Sequence, residues 1–112
     1  DLVRTELEAD DRAAYLGEVA LVDGRSGVRR AGVLFHNMLL DENAACHIAL
    51  GNGYPKCLDG GTEMTTEELA ARGCNVSLVH VDFMIGSDEV SVTGIRGDGS
   101  EERLIDNGRF AI

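Results

Sequence analysis

One apolar run interrupted by two ionisable residues constrains this chain more than any other feature. Leu78–Gly86 reads LVHVDFMIG, with His80 and Asp82 one residue apart among seven apolar or glycine positions. As a β-strand the run alternates, so Leu78, His80, Asp82 and Met84 share one face while Val79, Val81, Phe83 and Ile85 share the other. Two residues along a strand separate Cα atoms by roughly 6.5 Å, so both tips can converge on one ion or on two neighbouring ions. A buried carboxylate without a cationic partner is strongly destabilising, and a divalent metal would supply that partner while requiring neutral imidazole from His80. Taken alone, the pair is read more simply as hydrogen-bonded core residues, or as the wet face of an edge strand.

The same anomaly recurs elsewhere. Glu18 lies in LGEVALV, a strand-like run in which no charge is expected, and His47 lies in the alanine-rich stretch ENAACHIAL. Together Glu18, His47, His80 and Asp82 make two carboxylates and two imidazoles on three segments that read as buried. That is a hard-to-borderline donor set suited to Zn²⁺, Co²⁺, Mn²⁺ or Fe²⁺, and the coincidence of four favours metal over four separate core pairs. Tyr54 follows His47 by seven residues in Gly-Asn-Gly-Tyr-Pro. Its phenol could donate a hydrogen bond to an oxyanion or could simply pack a turn. Glu42, Asn43 and Asn75 read as capping or turn residues first, and as supports for a ligand second.

The rest of the chain points to a mixed α+β fold, a single domain over residues 1–112 with a mainly antiparallel sheet and two short helices. Fourteen glycines and one proline imply many turns between short elements. Strands are predicted at Gly17–Val22, Gly32–Phe35, Val76–Met84, Glu89–Thr93 and Glu101–Ile105, with an exposed loop over Asp23–Arg30. Asp10–Leu16 reads as a polar segment with at most one helical turn. Asp41 has the look of an N-cap for a helix running through ENAACHIAL to Gly51, and Thr65 with Glu68 spells a capping box for a helix ended by Gly73. The chain starts at Asp1 without an apolar leader, as expected of a piece excised or processed from a longer protein.

Charge narrows the partners. Twenty acidic and ten basic residues give a net charge of −10, which argues against nucleic acid and anionic membrane surfaces. It suits cations, including metals and the ammonium of a peptide. Cys46, Cys57 and Cys74 form no C-x-x-C pair, and three free thiols suggest a reducing, cytoplasmic setting. No window approaches the ~18 apolar residues of a membrane span.

Taken in order, LGEVALV, LLDENAACHIALGNGYP, MTTEEL and NVSLVHVDFMIGS resemble the C-terminal part of the M29 metallo-aminopeptidases, the thermophilic metalloprotease family that includes aminopeptidases T and S. The likeness runs from about Leu16 to Asn107-Gly108-Arg109-Phe110 and covers the last quarter to third of such an enzyme. It implies that Glu18, His47, His80 and Asp82 bind a pair of divalent ions (Zn, Co or Mn, with Mg an option) and that Tyr54 lines the reaction centre. Glu18 and Tyr54 are then the candidate catalytic residues, acting on peptides with a free N-terminus.

The resemblance also implies an N-terminal domain and an upstream glutamate ligand, neither found in these residues, so the 112 residues alone are expected to be weakly active or inactive. The loop after GEVALV departs from the family: it reads DGRSGVRR in place of a Ser-Pro-Ile-Ser-like segment. Separated from that domain, the chain is expected to expose apolar surface and self-associate, most simply as a dimer. Two alternatives remain. His47, His80 and Asp82 alone would make the facial triad of a mononuclear Fe(II) ring-cleaving dioxygenase of the hydroxypyridine type, which would leave Glu18 without a role. The chain could also be a non-catalytic, self-associating domain.

Overall fold

The computed structural model describes residues 2–112. The described residues form four short α-helices, α1 (Leu2–Leu7), α2 (Gly27–Ala31), α3 (Met38–Asp41) and α4 (Thr66–Ala71), and six strands. The strands are β1 (Leu16–Ala20), β2 (His47–Gly51), β3 (His80–Met84), β4 (Val92–Ile95), β5 (Glu101–Asp106) and β6 (Arg109–Phe110). They form two three-stranded antiparallel sheets, ordered β1-β2-β3 and β4-β5-β6, so the mixed α+β class holds. The chain divides into two compact units: residues up to Val19 with Ile48–Phe83, and Ala20–His47 with Met84–Ile112.

In the first unit, the pairing of β2 with both neighbours is visible at its C-terminal end. The Gly51 amide donates to the Tyr15 carbonyl and the Asn52 amide to the Val79 carbonyl, each at 2.7 Å. The strands approach so closely here that only glycine fits. A Cβ on Gly51 would run into the Val79 carbonyl oxygen, and its φ of +97° is one that side-chain-bearing residues avoid. Asn75 clamps the same corner, donating from Nδ2 to the Arg12 carbonyl at 2.9 Å and to the Gly51 carbonyl at 2.7 Å. Asp10 holds the approach to β3: its Oδ2 accepts from Ser77 Oγ and from the Leu78 amide, both at 2.8 Å. The expected capping box is present, with Thr65 Oγ1 accepting from the Glu68 amide and Glu68 Oε2 from the Thr65 amide.

In the second unit, β4, β5 and β6 form a meander with Ile105 fully buried at its centre. The β5–β6 connection is Asn107-Gly108, with φ of 46° and 72°, joining Asp106 to its partner Arg109. An Asn-Gly pair is the sequence signature of such a two-residue hairpin, because both central residues need positive φ. Asp23 ties this hairpin to the loop after β1, accepting from the Phe110 amide at 2.9 Å and from the Arg25 backbone and guanidinium.

Several predicted elements change. Residues 32–35 are not a strand; the Phe35 and Asn37 amides donate instead to the Asp41 carboxylate, at 2.9 and 3.1 Å. Asp41 therefore gathers the turn that leads into α3 and caps no helix with its side chain. The predicted loop over Asp23–Arg30 gives way to α2 from Gly27, capped by Ser26, whose Oγ accepts from the Arg29 amide. The predicted strand at Glu89–Thr93 lies later, at Val92–Ile95, and the one starting at Val76 begins only at His80.

The largest correction concerns the predicted helix from Asp41 to Gly51. Only Met38–Asp41 and one 3-10 turn at Glu42–Ala44 are helical, and His47–Gly51 is a strand. Helix propensity favours alanine and leucine by only a few tenths of a kcal/mol per residue. A strand in the middle of a sheet satisfies backbone groups on both of its edges, which outweighs that preference. The burial of His47, Ala49 and Gly51, alternating with half-buried Ile48 and Leu50, records the period of two.

Candidate metal centre

The first unit gathers four of the five candidate residues. Glu18 comes from β1, His80 and Asp82 from one face of β3, and Tyr54 from the loop leaving β2. His80 Nε2 lies 3.3 Å from Glu18 Oε2 and 3.3 Å from Asp82 Oδ1. All three side chains are mostly buried, at 21%, 20% and 13% exposure for His80, Glu18 and Asp82, so little water is available to screen two carboxylates held together.

The tautomer of His80 follows from its other nitrogen. Nδ1 lies 2.7 Å from the carbonyl oxygen of Asn52, which can only accept, so Nδ1 carries the proton. In the neutral ring Nε2 is then a lone pair aimed at two carboxylate oxygens, an arrangement of acceptors facing acceptors. If the ring were an imidazolium, charge-assisted bonds of about 2.7–2.9 Å would be expected. The observed 3.3 Å contacts do not meet hydrogen-bond geometry, and His80 Nε2 and Asp82 Oδ1 are buried without a hydrogen-bond partner. A divalent cation would satisfy these atoms and balance the two negative charges. The imidazole anchored by a backbone carbonyl is the usual support of a metal-ligating histidine.

Asn52 supplies that carbonyl, and neither it nor Asp10 was among the candidates. Asn52 also accepts from the Ser77 amide through Oδ1 at 3.2 Å and donates from Nδ2 to the Gly53 carbonyl at 2.9 Å. Asparagine in a Gly-Asn-Gly turn signals only a turn; its part here depends on which strand the turn lies beside. Asn75 proves to be a backbone clamp, as described above. Asn43 donates to the Leu39 carbonyl at 2.8 Å and its own carbonyl accepts from Ser26 Oγ at 3.0 Å, which makes it a helix-end residue.

Tyr54 precedes the 3-10 turn at Pro55–Cys57, and its ring stands 5.2 Å from the His80 ring at an interplanar angle of 54°. That separation is normal for a tilted aromatic contact and holds the tyrosine beside the imidazole. A pocket of about 250 Å³ opens here, lined among others by Glu18, Tyr54, Cys57, Leu58 and Arg72. His47 belongs to the second unit, as its last residue before the chain continues along β2 into the first. It is 2% exposed, and its Nδ1 lies 3.0 Å from the Ala45 carbonyl. The same reasoning therefore puts the proton on Nδ1 and leaves Nε2 as the donor atom of the neutral ring.

Two carboxylates and an imidazole gathered on one sheet offer an oxygen-and-nitrogen donor set that suits a divalent cation. Comparison with known proteins makes this specific. Residues 1–110 match the family described as thermophilic metalloprotease (M29), and the chain belongs to that family. It is 50% identical over 106 residues to Aminopeptidase 2 of Geobacillus stearothermophilus, covering 95% of this chain and 26% of that protein. To Aminopeptidase AmpS of Bacillus subtilis it is 44% identical over 112 residues, covering 100% of this chain and 27% of that protein. The structure of wild-type AmpT from Thermus thermophilus superposes with a TM-score of 0.85 at 44% identity, over 99% of this chain and 27% of that one. The chain thus spans about a quarter of the length of the relatives it matches. Membership of a metalloprotease family implies a divalent metal.

Proposed function

We propose that this segment supplies metal ligands and an oxyanion donor to a metal-dependent aminopeptidase. The observation that carries the reading is the convergence of Glu18, His80 and Asp82, with His80 locked by Asn52 in the tautomer a metal requires. In the proposal Glu18, His47, His80 and Asp82 hold two ions, one more than the smallest reading needs; family membership supports the metal and leaves the count to be measured. When bound, the metal polarises the scissile carbonyl and lowers the pKa of water.

The chain's own residues do the rest. Asn52 keeps the proton of the neutral His80 ring on Nδ1, which leaves the Nε2 lone pair directed at Glu18 and Asp82, where a metal would be held. The ring contact with His80 fixes Tyr54, whose phenol donates to the oxyanion that forms as the peptide carbonyl becomes tetrahedral. The half-buried pocket beside Glu18 limits water around the reacting bond. Peptides with a free N-terminus are the substrate class that the names of the relatives suggest.

The test is metal content and peptide hydrolysis in the complete polypeptide that carries this segment. His80→Ala should lose both bound metal and turnover; the same metal stoichiometry and rate as the parent would sink the assignment. The 112 residues by themselves are expected to hydrolyse aminoacyl substrates weakly or not at all.

A further inference from the structure

Tyr54 is the common wall of two pockets. One contains Glu18 and was described above; the other, of about 400 Å³, is lined by Tyr54, Pro55, Lys56, Thr62, Met64 and Leu69 among others. Lys56 is the only lysine in a chain of net charge −10. Its ammonium stands 5.4 Å from the centroid of the Tyr54 ring, over the face of the residue that the proposed mechanism places at the oxyanion. Among the described residues no carboxylate lies within ion-pair distance of Lys56, whereas Arg4, Arg25, Arg29 and Arg96 each have one. The charge is therefore not spent on the protein's own abundant acids.

We propose that Lys56 reads a carboxylate of the substrate, so that the site takes peptides bearing a carboxylate close to the reacting bond. This rests on the aminopeptidase reading for the placement of the reacting bond, and on the structure for the rest. Pro55, Met64 and Leu69 give the second pocket an apolar side and Thr62 a hydroxyl, and Lys56 is the charged residue of its lining, so a carboxylate entering it meets the ammonium. The ring of Tyr54 keeps that ammonium on the pocket side through a cation–π contact. Two sources share the chemistry: the C-terminal carboxylate of a dipeptide, and the side chain of an acidic residue next to the scissile bond.

Three matched pairs separate these sources: Ala-Ala against Ala-Ala-amide, Glu-Ala-amide against Gln-Ala-amide, and Ala-Glu-amide against Ala-Gln-amide. The readout is the ratio of kcat/KM within each pair for the complete, metal-loaded polypeptide that carries this segment and for its Lys56→Met and Lys56→Arg variants. The favoured pair should show a ratio that falls about tenfold in Lys56→Met, the loss of one charge-assisted hydrogen bond, and that recovers in Lys56→Arg. A lysine that only braces Tyr54 would slow both members of every pair together and leave all ratios as they were, which overturns the proposal. Dissociation constants for the same peptides, from NMR titration of the metal-free protein, give a second readout that needs no turnover. Carboxylate-dependent binding lost in Lys56→Met, with no hydrolysis of any peptide by the complete metal-loaded polypeptide, would uphold Lys56 and defeat the aminopeptidase reading instead. Equal binding of acid and amide by the parent overturns the Lys56 proposal whatever the turnover.

Discussion

Replacing Asp82 by asparagine is expected to stabilise the metal-free protein while removing its response to metal. Oxygens of Glu18 and Asp82 lie within 4.8 Å of one another, and His80 Nε2 lies 3.3 Å from an oxygen of each. Unit charges at that separation repel by about 3.5 kcal/mol at an effective dielectric of about 20 and by about 1 kcal/mol in bulk water. Both carboxylates are mostly buried yet still touch solvent, so a relief of about 1–3 kcal/mol is expected when one charge is removed. An asparagine amide in the same place can also donate toward the His80 lone pair, which the carboxylate cannot.

The assay is urea unfolding with and without added divalent metal. In the parent, metal at about a hundred times its dissociation constant should add about 2.7 kcal/mol. In Asp82→Asn the metal-free midpoint should rise and the metal-induced increment should shrink to a small fraction of the parent's. A metal-free protein destabilised by the substitution would show that Asp82 holds the fold together through bonds of its own. A full metal increment in the variant would show that Asp82 is not a ligand. Either result would refute the reasoning.

Two further substitutions probe the supports of the site. Gly51→Ala forces a side chain into a positive-φ position and against the Val79 carbonyl, and should destabilise by about 2–4 kcal/mol in chemical unfolding, more than the about 1 kcal/mol usual for a point change; a loss below that usual value would mean the strands can separate without penalty. Asp10 is held below its ordinary value, chiefly by the Leu78 amide and then by Ser77 Oγ, so its folded-state pKa lies under the unfolded 3.8. Its contribution is present above 3.8 and disappears as the pH falls through the lower folded value. Protection of the Leu78 amide, measured relative to its intrinsic exchange rate, should therefore fall in strong acid in the parent and be low at every pH in Asp10→Ala; protection in that variant equal to the parent's would rule the clamp out.

How far the sequence carries this protein is clearest from His47 and His80. For His80 the alternation of LVHVDFMIG was enough to put His80 and Asp82 on one face, and β3 does so over its five residues. For His47 the local signal was wrong about the element: alanine and leucine spelled a helix, and the residues form the central strand β2 instead. Its burial was nevertheless legible, because a histidine inside an apolar run is buried in either element. The capping box at Thr65 and Glu68 was legible for a similar reason, since both of its hydrogen bonds close within four residues.

What sequence alone determined were the properties that depend on near neighbours: the faces of β3, the start of α4 and the chemical types of the candidate ligands. Tertiary structure decided which separate segments meet. Glu18 and His80 are sixty-two positions apart, and only the pairing of β1, β2 and β3 brings their side-chain atoms to 3.3 Å. Nothing in Gly-Asn-Gly foretells that the Asn52 carbonyl fixes the proton of His80, or that the lone lysine stands over the ring of Tyr54. Pairing between distant strands is settled by backbone hydrogen bonds and packing summed over the whole sheet, and no short stretch of residues contains that sum.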